Sequence, residues 1–186
     1  ASASNARRML FETMRIPFTV EAAAIDEKAI RDPNPVEQAR RIAAVKGEVV
    51  AARHPEALIM AADTFVVLDG VILEKPHDLE EARRMLRGQS DRWFEICTGY
   101  WYRDGQTGRV RSYTAVTQVK MRLLSASEIE RYVTTYPVCM YSAAFSPSNI
   151  EGQSFMEEVK GSLMSCFYGF PLEQLRADLR ESGVAL

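Results

Sequence analysis

The residues best suited to chemistry are charged groups that stand at the ends of apolar segments. Asp63 follows the apolar run that begins at Ile59, and Lys75 follows a second apolar run on the other side of an Asp-Gly pair. Acidic residues are rarely buried unless they are paired, bound to a metal or catalytic. On this stretch alone, an Asp63 that merely caps a turn or pairs with a surface lysine is an equally good interpretation.

A second group of residues, near the start of the chain, has the chemistry of an anion site. Ser2 and Ser4 precede an amphipathic run whose first turn carries Arg7 and Arg8. The backbone N–H groups of a helix N-terminus, together with hydroxyl and guanidinium groups, bind phosphate well. The alternative interpretation is that the two arginines form a solvated helix face.

Three further residues extend the set: Glu27, Lys46 close to the apolar face of a long helix, and Glu151. A lysine so placed either extends to the helix edge or points into a cleft. Cations at a helix N-terminus suit a polyphosphate, and carboxylates such as Glu27 and Asp63 suit a divalent metal such as magnesium. A carboxylate that also orients water allows metal-assisted phosphoanhydride hydrolysis. Neither a Walker loop nor a Rossmann glycine fingerprint is present, so the residues alone predict only a phosphate-binding hydrolase.

The composition limits the class of protein. The chain has 186 residues, 47% of them hydrophobic and 26% charged, with a net charge of -2. These values predict a single globular domain over residues 1–186 that has no bulk attraction to nucleic acid. No apolar run is long enough to span a bilayer, so no membrane association is expected. Three widely spaced cysteines are typical of reduced thiols in a cytoplasmic protein.

Hydrophobic periodicity and capping residues predict the elements that position these groups. Helices are expected over about 4–15, 35–53, 78–88, 125–134, 155–160 and 171–183. Strands are expected over 17–22, 91–99 and 109–122 and in a hairpin over 59–76, whereas 137–149 is expected to be a loop. Because the sequence starts inside a serine-rich stretch, we also expect that a first strand precedes it.

The order of short motifs along the chain resembles the Maf family. The pattern Ser-x-Ser-x-x-Arg-Arg over residues 2–8 is followed by eight further motifs: Ile25-Asp26-Glu27, Ala44-Val45-Lys46, Ala62-Asp63-Thr64, Leu73-Glu74-Lys75-Pro76, Cys97-Thr98-Gly99, Ile150-Glu151-Gly152, Lys160-Gly161-Ser162 and Tyr168-Gly169-Phe170-Pro171-Leu172. Single motifs are weak signals, but the ordered set is specific and covers nearly the whole chain.

The resemblance implies an α/β fold like that of the inosine triphosphate pyrophosphatases, with a long twisted mixed sheet in two lobes around a central cleft. It implies hydrolysis of a nucleoside triphosphate to the monophosphate and pyrophosphate, with Mg²⁺ or Mn²⁺ as cofactor. Asp63 would be the general base, and Glu27 would assist it or hold the metal with it. The other implied roles are phosphate binding by Lys46 and Lys75, triphosphate binding by Ser2, Ser4, Arg7 and Arg8, and substrate contacts by Thr64 and Glu151.

The base specificity is mixed in this sequence. Glu151 resembles the 7-methyl-GTP branch of the family, whereas Asp63-Thr64 resembles the dTTP/UTP branch. A carboxylate accepts hydrogen bonds and favours a base that presents donors or positive charge. The loop at 137–149 lacks an Asp-Lys pair that is usual in the family, so we assign it no role. We favour dTTP, UTP or modified nucleotides, with 7-methyl-GTP as the alternative.

Two other classes of function stay open. Family members have been linked to septum formation, so the chain could be a nucleotide-binding regulator of cell division that has lost catalysis. It could also be a structural domain whose charges only decorate the surface. A homodimer is a further expectation for which no interface is visible in the sequence.

Overall fold

A computed structural model describes residues 4–185 of the chain. Its sheet has the strand order β2-β1-β3-β4-β5. The strands are β1 (Leu58–Leu68), β2 (Val71–Leu73), β3 (Trp93–Asp104), β4 (Val110–Met121) and β5 (Met156–Lys160). Together with the helices around it, this sheet confirms the predicted α/β class.

Neighbouring strands of the described chain run antiparallel, so the predicted mixed sheet is wrong. β1 pairs with β2 and β4 pairs with β5 in antiparallel register. Asp104 N donates to Arg109 O across the β3–β4 hairpin, and Gly105 N donates to Ala57 O between β3 and β1. The physical reason is that short turns join β1 to β2 and β3 to β4, whereas parallel neighbours need long crossover connections.

Three of the helices begin at the capping residues that the sequence predicted. They are α1 (Asn5–Met14), α2 (Pro35–Ala51), α3 (Leu79–Gln89), α4 (Ala126–Thr135), α5 (Ile150–Phe155), α6 (Leu163–Tyr168) and α7 (Leu172–Glu181). Ser4 caps α1, Asp78 caps α3, and Ser125 forms a capping box with Glu128 at α4. None of the described helices combines the length and the apolar character that crossing a membrane requires.

Two predicted elements are wrong. The helix expected over 155–160 is strand β5, which pairs with the end of β4 through partners such as Val119 and Val159. Sheet pairing here overrides the local helix propensity of the glutamates at 157 and 158. The stretch 17–22, which was expected to be a strand, has no regular secondary structure. In addition, α5 and α6 were not predicted.

The chain separates into two compact units. The described part of the first unit contains residues 4–64, 98–115 and 164–185. Within it, Ala61 of β1 belongs to an apolar cluster with α2, and Ala62 belongs to another with α1 and α7. This division follows from the strand itself, because successive side chains point to opposite faces of a sheet.

The second unit contains residues 65–97 and 116–163. Arg83 of α3 forms a two-pronged ion pair with Glu130 of α4. Gln89 at the end of α3 donates to the carbonyl of Ala143 at 2.8 Å in the interior. The stretch 137–149, which was predicted to be a loop, contains two short 3₁₀ turns, Val138–Met140 and Ser142–Ala144, and the Gln89 hydrogen bond connects it to α3.

Candidate active site

Asp63 and Thr64 are neighbours on β1 whose side chains lie on opposite faces of the sheet. Asp63 lies on the same face of β1 as Ala61, two residues earlier. This face packs against α2, and there Asp63 contacts Lys46. Thr64 lies on the same face of β1 as Ala62, two residues earlier. This face packs against α1, and there Thr64 contacts Arg7. The two-residue period of a strand thus gives each of these predicted site residues a different set of partners.

The centre of the site is a cation between two carboxylates. Lys46 Nζ lies 2.7 Å from Asp63 Oδ1 and 2.9 Å from Glu27 Oε2. The side chains of Lys46 and Asp63 are only 11% and 14% exposed, whereas that of Glu27 is 50% exposed. Buried charges are tolerated when they are paired in this way. The structure therefore brings together three of the four predicted catalytic residues.

Helix α2 lies close enough to the sheet to present Lys46 because the next residue is glycine. A Cβ atom on Gly47 would stand 2.0 Å from Cε3 of Trp101, which is a buried residue of β3. Real Cβ atoms do not approach other atoms so closely, so any larger residue would force the helix or the indole ring to move. The short distance between Lys46 and Asp63 depends on this contact.

Glu27 reaches Lys46 from a short 3₁₀ turn, Glu27–Ala29. The side chain of Asp26 caps this turn by accepting a hydrogen bond from Lys28 N at 3.0 Å. The two adjacent acids thus have different roles, since Asp26 shapes the backbone and Glu27 faces the cluster. The carboxylate of Glu27 is half-exposed, so it lies on the side of the cluster that is more accessible to solvent.

Arg7 is held on the other face of β1 by backbone and hydroxyl groups. Its Nε donates to Gly169 O and its Nη2 donates to Thr64 Oγ1, both at 2.9 Å. The Thr64 hydroxyl also shares a hydrogen bond of 3.2 Å with the Thr98 hydroxyl. Burial lowers the pKa of Arg7, and the carboxylates of Asp63 and Glu27 oppose that effect. The guanidinium stays charged, because its ordinary pKa lies far above neutrality.

The other predicted residues near the N-terminus have separate positions. Ser4 Oγ accepts from Arg7 N at 3.5 Å and so caps α1, whereas Ser2 lies outside the described residues. Arg8 is exposed and lines a cavity of about 640 Å³ in the first unit. Arg7 also lines this cavity, and the other lining residues are mostly apolar and do not include Lys46 or Asp63.

Lys75 and Glu151 belong to the second unit, whereas Lys46, Asp63 and Glu27 belong to the first. Lys75 is exposed just after β2. Glu151 lies in the first turn of α5, where Asn149 caps the helix by accepting from Gly152 N at 2.7 Å.

Glu151 is already paired with a cation. Arg131 Nε and Nη2 each lie 2.6 Å from Glu151 Oε1. The Glu151 side chain is 14% exposed and that of Arg131 is 62% exposed. The resemblance implies that Glu151 contacts the substrate. In the structure its carboxylate is largely buried, and the charge of Arg131 partly neutralises it.

The carboxylates of Glu27 and Asp63 are too few to form a complete metal site by themselves. They suit a magnesium ion that enters the site together with the phosphate groups of a ligand. Within residues 4–185, no group of three or more His, Cys, Asp or Glu side chains is placed to hold a metal. Mg²⁺ in phosphate-handling sites needs only one or two carboxylates, because phosphate oxygens and water supply the other ligands. Lys46 contacts one oxygen of each carboxylate, which shows that both carboxylates converge on a cation.

Residue type alone did not indicate three residues that bind predicted site residues: Thr98, Gly169 and Arg131. Thr98 and Gly169 stand in motifs that carried the family resemblance, but a buried hydroxyl and a backbone carbonyl have no distinctive chemistry in a sequence. Arg131 lies 20 positions from Glu151 along the chain, and only the folded structure pairs the two.

Comparisons with known proteins agree with this chemistry. A family model described as Maf-like protein matches residues 1–182. A nucleoside triphosphate pyrophosphatase of Synechococcus sp. (strain JA-3-3Ab) is 37% identical over 187 residues, which cover 100% of this chain and 94% of that protein. A dTTP/UTP pyrophosphatase of Halalkalibacterium halodurans is 34% identical, covering 98% of this chain and 94% of the relative. A 7-methyl-GTP pyrophosphatase of Chromobacterium violaceum is 30% identical, covering 99% and 95%.

Proposed function

The chain belongs to the family of Maf-like proteins, and from this premise we propose that it hydrolyses a nucleoside triphosphate to the monophosphate and pyrophosphate. The observation that carries the proposal is the cluster in which Lys46 joins Asp63 and Glu27. Its cation can bind phosphate oxygens and its carboxylates can bind water or metal, which are the two requirements of phosphoanhydride hydrolysis. The names of the relatives support the same reaction.

In this proposal Asp63 orients the attacking water and accepts its proton. The water oxygen forms a bond to phosphorus while the bond from phosphorus to the departing pyrophosphate breaks. A mostly buried carboxylate suits this role because few competing waters surround it. Lys46, next to Asp63, binds the phosphate oxygens on which negative charge lies, and Arg7 adds a second fixed positive charge.

We further propose Mg²⁺ or Mn²⁺ as the cofactor, held by Glu27 and Asp63 together with the phosphates of the substrate. When bound, the ion would neutralise charge on the triphosphate and on the departing pyrophosphate. The half-exposed position of Glu27 supports this role, since the carboxylate is accessible to an ion that enters with its ligand.

For the base, we propose dTTP or UTP as the preferred class, with 7-methyl-GTP as the alternative. Relatives with both names have similar identities to the chain, so the comparisons favour neither. The ion pair between Arg131 and Glu151 supports the first choice, because a neutralised carboxylate gives little advantage to a positively charged base. A cytoplasmic location and a role in septum formation stay predictions.

The experiment that tests the proposal is pyrophosphate release across a panel of natural and modified nucleoside triphosphates, with Mg²⁺ or Mn²⁺ present. We expect turnover that yields the monophosphate and pyrophosphate in equal amounts. Release of single phosphate groups, or no turnover, would contradict the proposal. Nucleotide binding without turnover would instead support the nucleotide-binding regulator.

A further inference from the structure

We infer that the segment before α2 is held along this helix by ion pairs on both sides of Glu27, and that these outer pairs position Glu27 for the metal ion. The acids of the outer pairs are Glu21 and Asp32, which makes both of them positioning residues. This inference rests on the proposed function and deepens it, because it names residues outside the charged cluster that support a proposed metal ligand.

Three acids of this segment pair with basic residues of α2, or of the turn after it, in reverse order along the chain. The pairs are Glu21 with Arg53 and His54, Glu27 with Lys46, and Asp32 with Arg41. The segment therefore runs antiparallel to α2, and the pair of Glu27 and Lys46 is the central one. All of these residues belong to the first unit.

The segment has little regular structure of its own. Residues 17–26 form no helix or strand, and most of residues 22–30 are exposed. The backbone N–H groups of Ala29 and Ile30 donate to carbonyls within the segment, so these bonds do not attach it to α2. Ala23 packs against the apolar cluster of α2, but a single methyl group buries little area. The position of the segment along the helix thus depends strongly on its ion pairs.

The central pair cannot hold Glu27 in the working enzyme. In the proposed function Lys46 binds phosphate oxygens and Glu27 binds the metal ion, so their contact of 2.9 Å is exchanged for contacts with the ligand. The outer pairs use residues to which the proposed reaction gives no role, so they persist when the ligand enters. A metal ligand that is held in place in this way binds more tightly, because less conformational freedom is lost on binding.

Glu21 fixes the start of the segment through both oxygens of its carboxylate. Arg53 Nη1 donates to Oε1, and His54 Nε2 lies 2.6 Å from Oε2. The hydrogen bond with His54 is the largest cause of a lowered pKa for Glu21. The carboxylate is therefore ionised at neutral pH and attracts both basic side chains.

Asp32 fixes the other end of the segment where α2 begins. Its Oδ2 lies 3.1 Å from Arg41 Nη1, and its Oδ1 accepts from Asn34 N at 3.0 Å. The bond from Asn34, which is the N-cap of α2, is the largest cause of a lowered pKa for Asp32. Arg41 Nη1 also donates to Arg31 O at 3.1 Å. Charge and backbone contacts thus act together at this end.

The test removes both outer charges and keeps the side-chain size, in the double variant Glu21→Gln/Asp32→Asn. Pairs between partly exposed side chains are weak singly, so we expect a combined effect of about three- to tenfold. The Mg²⁺ concentration for half-maximal pyrophosphate release should rise by that factor, while kcat at saturating Mg²⁺ should change by less than about twofold.

Glu130→Gln is the matched control, because it removes the ion pair with Arg83 in the second unit and should leave the magnesium titration unchanged. An equal effect of the control, or an unchanged titration of the double variant, would overturn the inference.

A second measurement needs no catalysis. Lys46→Met removes the central pair, so the outer pairs alone hold the turn at 27–29 in that variant. We expect its backbone NMR order parameters at 27–29 to stay near about 0.85, and to fall below about 0.6 when Glu21→Gln and Asp32→Asn are added. Equal order parameters in the two proteins would overturn the inference. Because no hydrolysis is involved, this result is independent of whether the proposed function holds.

Discussion

Lys46 Nζ and Asp63 Oδ1 lie 2.7 Å apart, where the buried face of α2 meets β1. The pair joins the two elements whose hydrophobic patterns are the clearest in the chain. It also brings together the cation that we propose binds phosphate and the carboxylate that we propose binds water. The stability of the fold and the proposed chemistry therefore depend on the same contact.

Replacing Lys46 with Met should lower the free energy of unfolding by about 1–3 kcal/mol, because Asp63 would be left mostly buried without its cation. Urea denaturation measures the change. Lys28→Met is the matched control, since Lys28 is exposed and should change stability by less than about 0.5 kcal/mol. Equal losses in the two variants would show that the buried pair does not stabilise the protein.

Glu27→Gln should raise the Mg²⁺ concentration for half-maximal activity about tenfold or more, because a neutral amide is a weaker ligand for a hard cation. The measurement is a magnesium titration of pyrophosphate release after removal of metal with EDTA. Asp26→Asn provides the comparison, because Asp26 is the adjacent acid and only caps the turn. If both variants follow the wild-type titration, Glu27 does not hold the metal.

Gly47→Ala should destabilise the protein by about 1–3 kcal/mol and reduce hydrolysis, because the added Cβ would displace α2 from Trp101. Gly88→Ala in α3 meets no atom within 4 Å of the new Cβ and should stabilise by about 0.5–1 kcal/mol. Thermal unfolding and turnover of the two variants test this contrast. If Gly47→Ala is destabilised but fully active, the packing of α2 against Trp101 does not determine the position of Lys46.

Because Arg131 and Glu151 form an ion pair, we expect that removing the charge of one residue or the other changes base selectivity in opposite directions. If Glu151 contacts the base as the resemblance implies, Arg131→Met should increase the preference for 7-methyl-GTP over dTTP about tenfold, because the Glu151 carboxylate would lose its neutralising partner. Glu151→Gln should change the same ratio in favour of dTTP. The ratio of kcat/KM for the two nucleotides is the measurement. Unchanged ratios would mean that neither residue reads the base.

The sequence predicted the central cluster because its local patterns agree with the fold. The helical periodicity around Lys46 and the alternation around Asp63 each identify a buried face, and the Asp69-Gly70 turn marks the end of β1. The structure adds that alternation separates Asp63 from Thr64 and so gives them different partners.

Other features could not be predicted, because they depend on contacts between distant segments. The stretch 156–160 has helix-forming glutamates but is a strand, since pairing with β4 decides its conformation. The contact of Gly169 with Arg7 is made by a backbone carbonyl oxygen, which has no sequence signal. The two-lobed sheet around a central cleft that the resemblance implies stays a prediction.

The most direct test of the account is a comparison of wild type and Asp63→Asn in pyrophosphate release with the best substrate of the panel. Nucleotide binding is measured beside it by calorimetry, and Asp69→Asn is the control, because Asp69 is an exposed turn residue paired with Arg92. The account predicts that Asp63→Asn lowers kcat by about 10²–10⁴-fold while nucleotide still binds and Asp69→Asn stays active. Wild-type turnover by Asp63→Asn would contradict the assignment of Asp63 as the general base and, with it, the central claim.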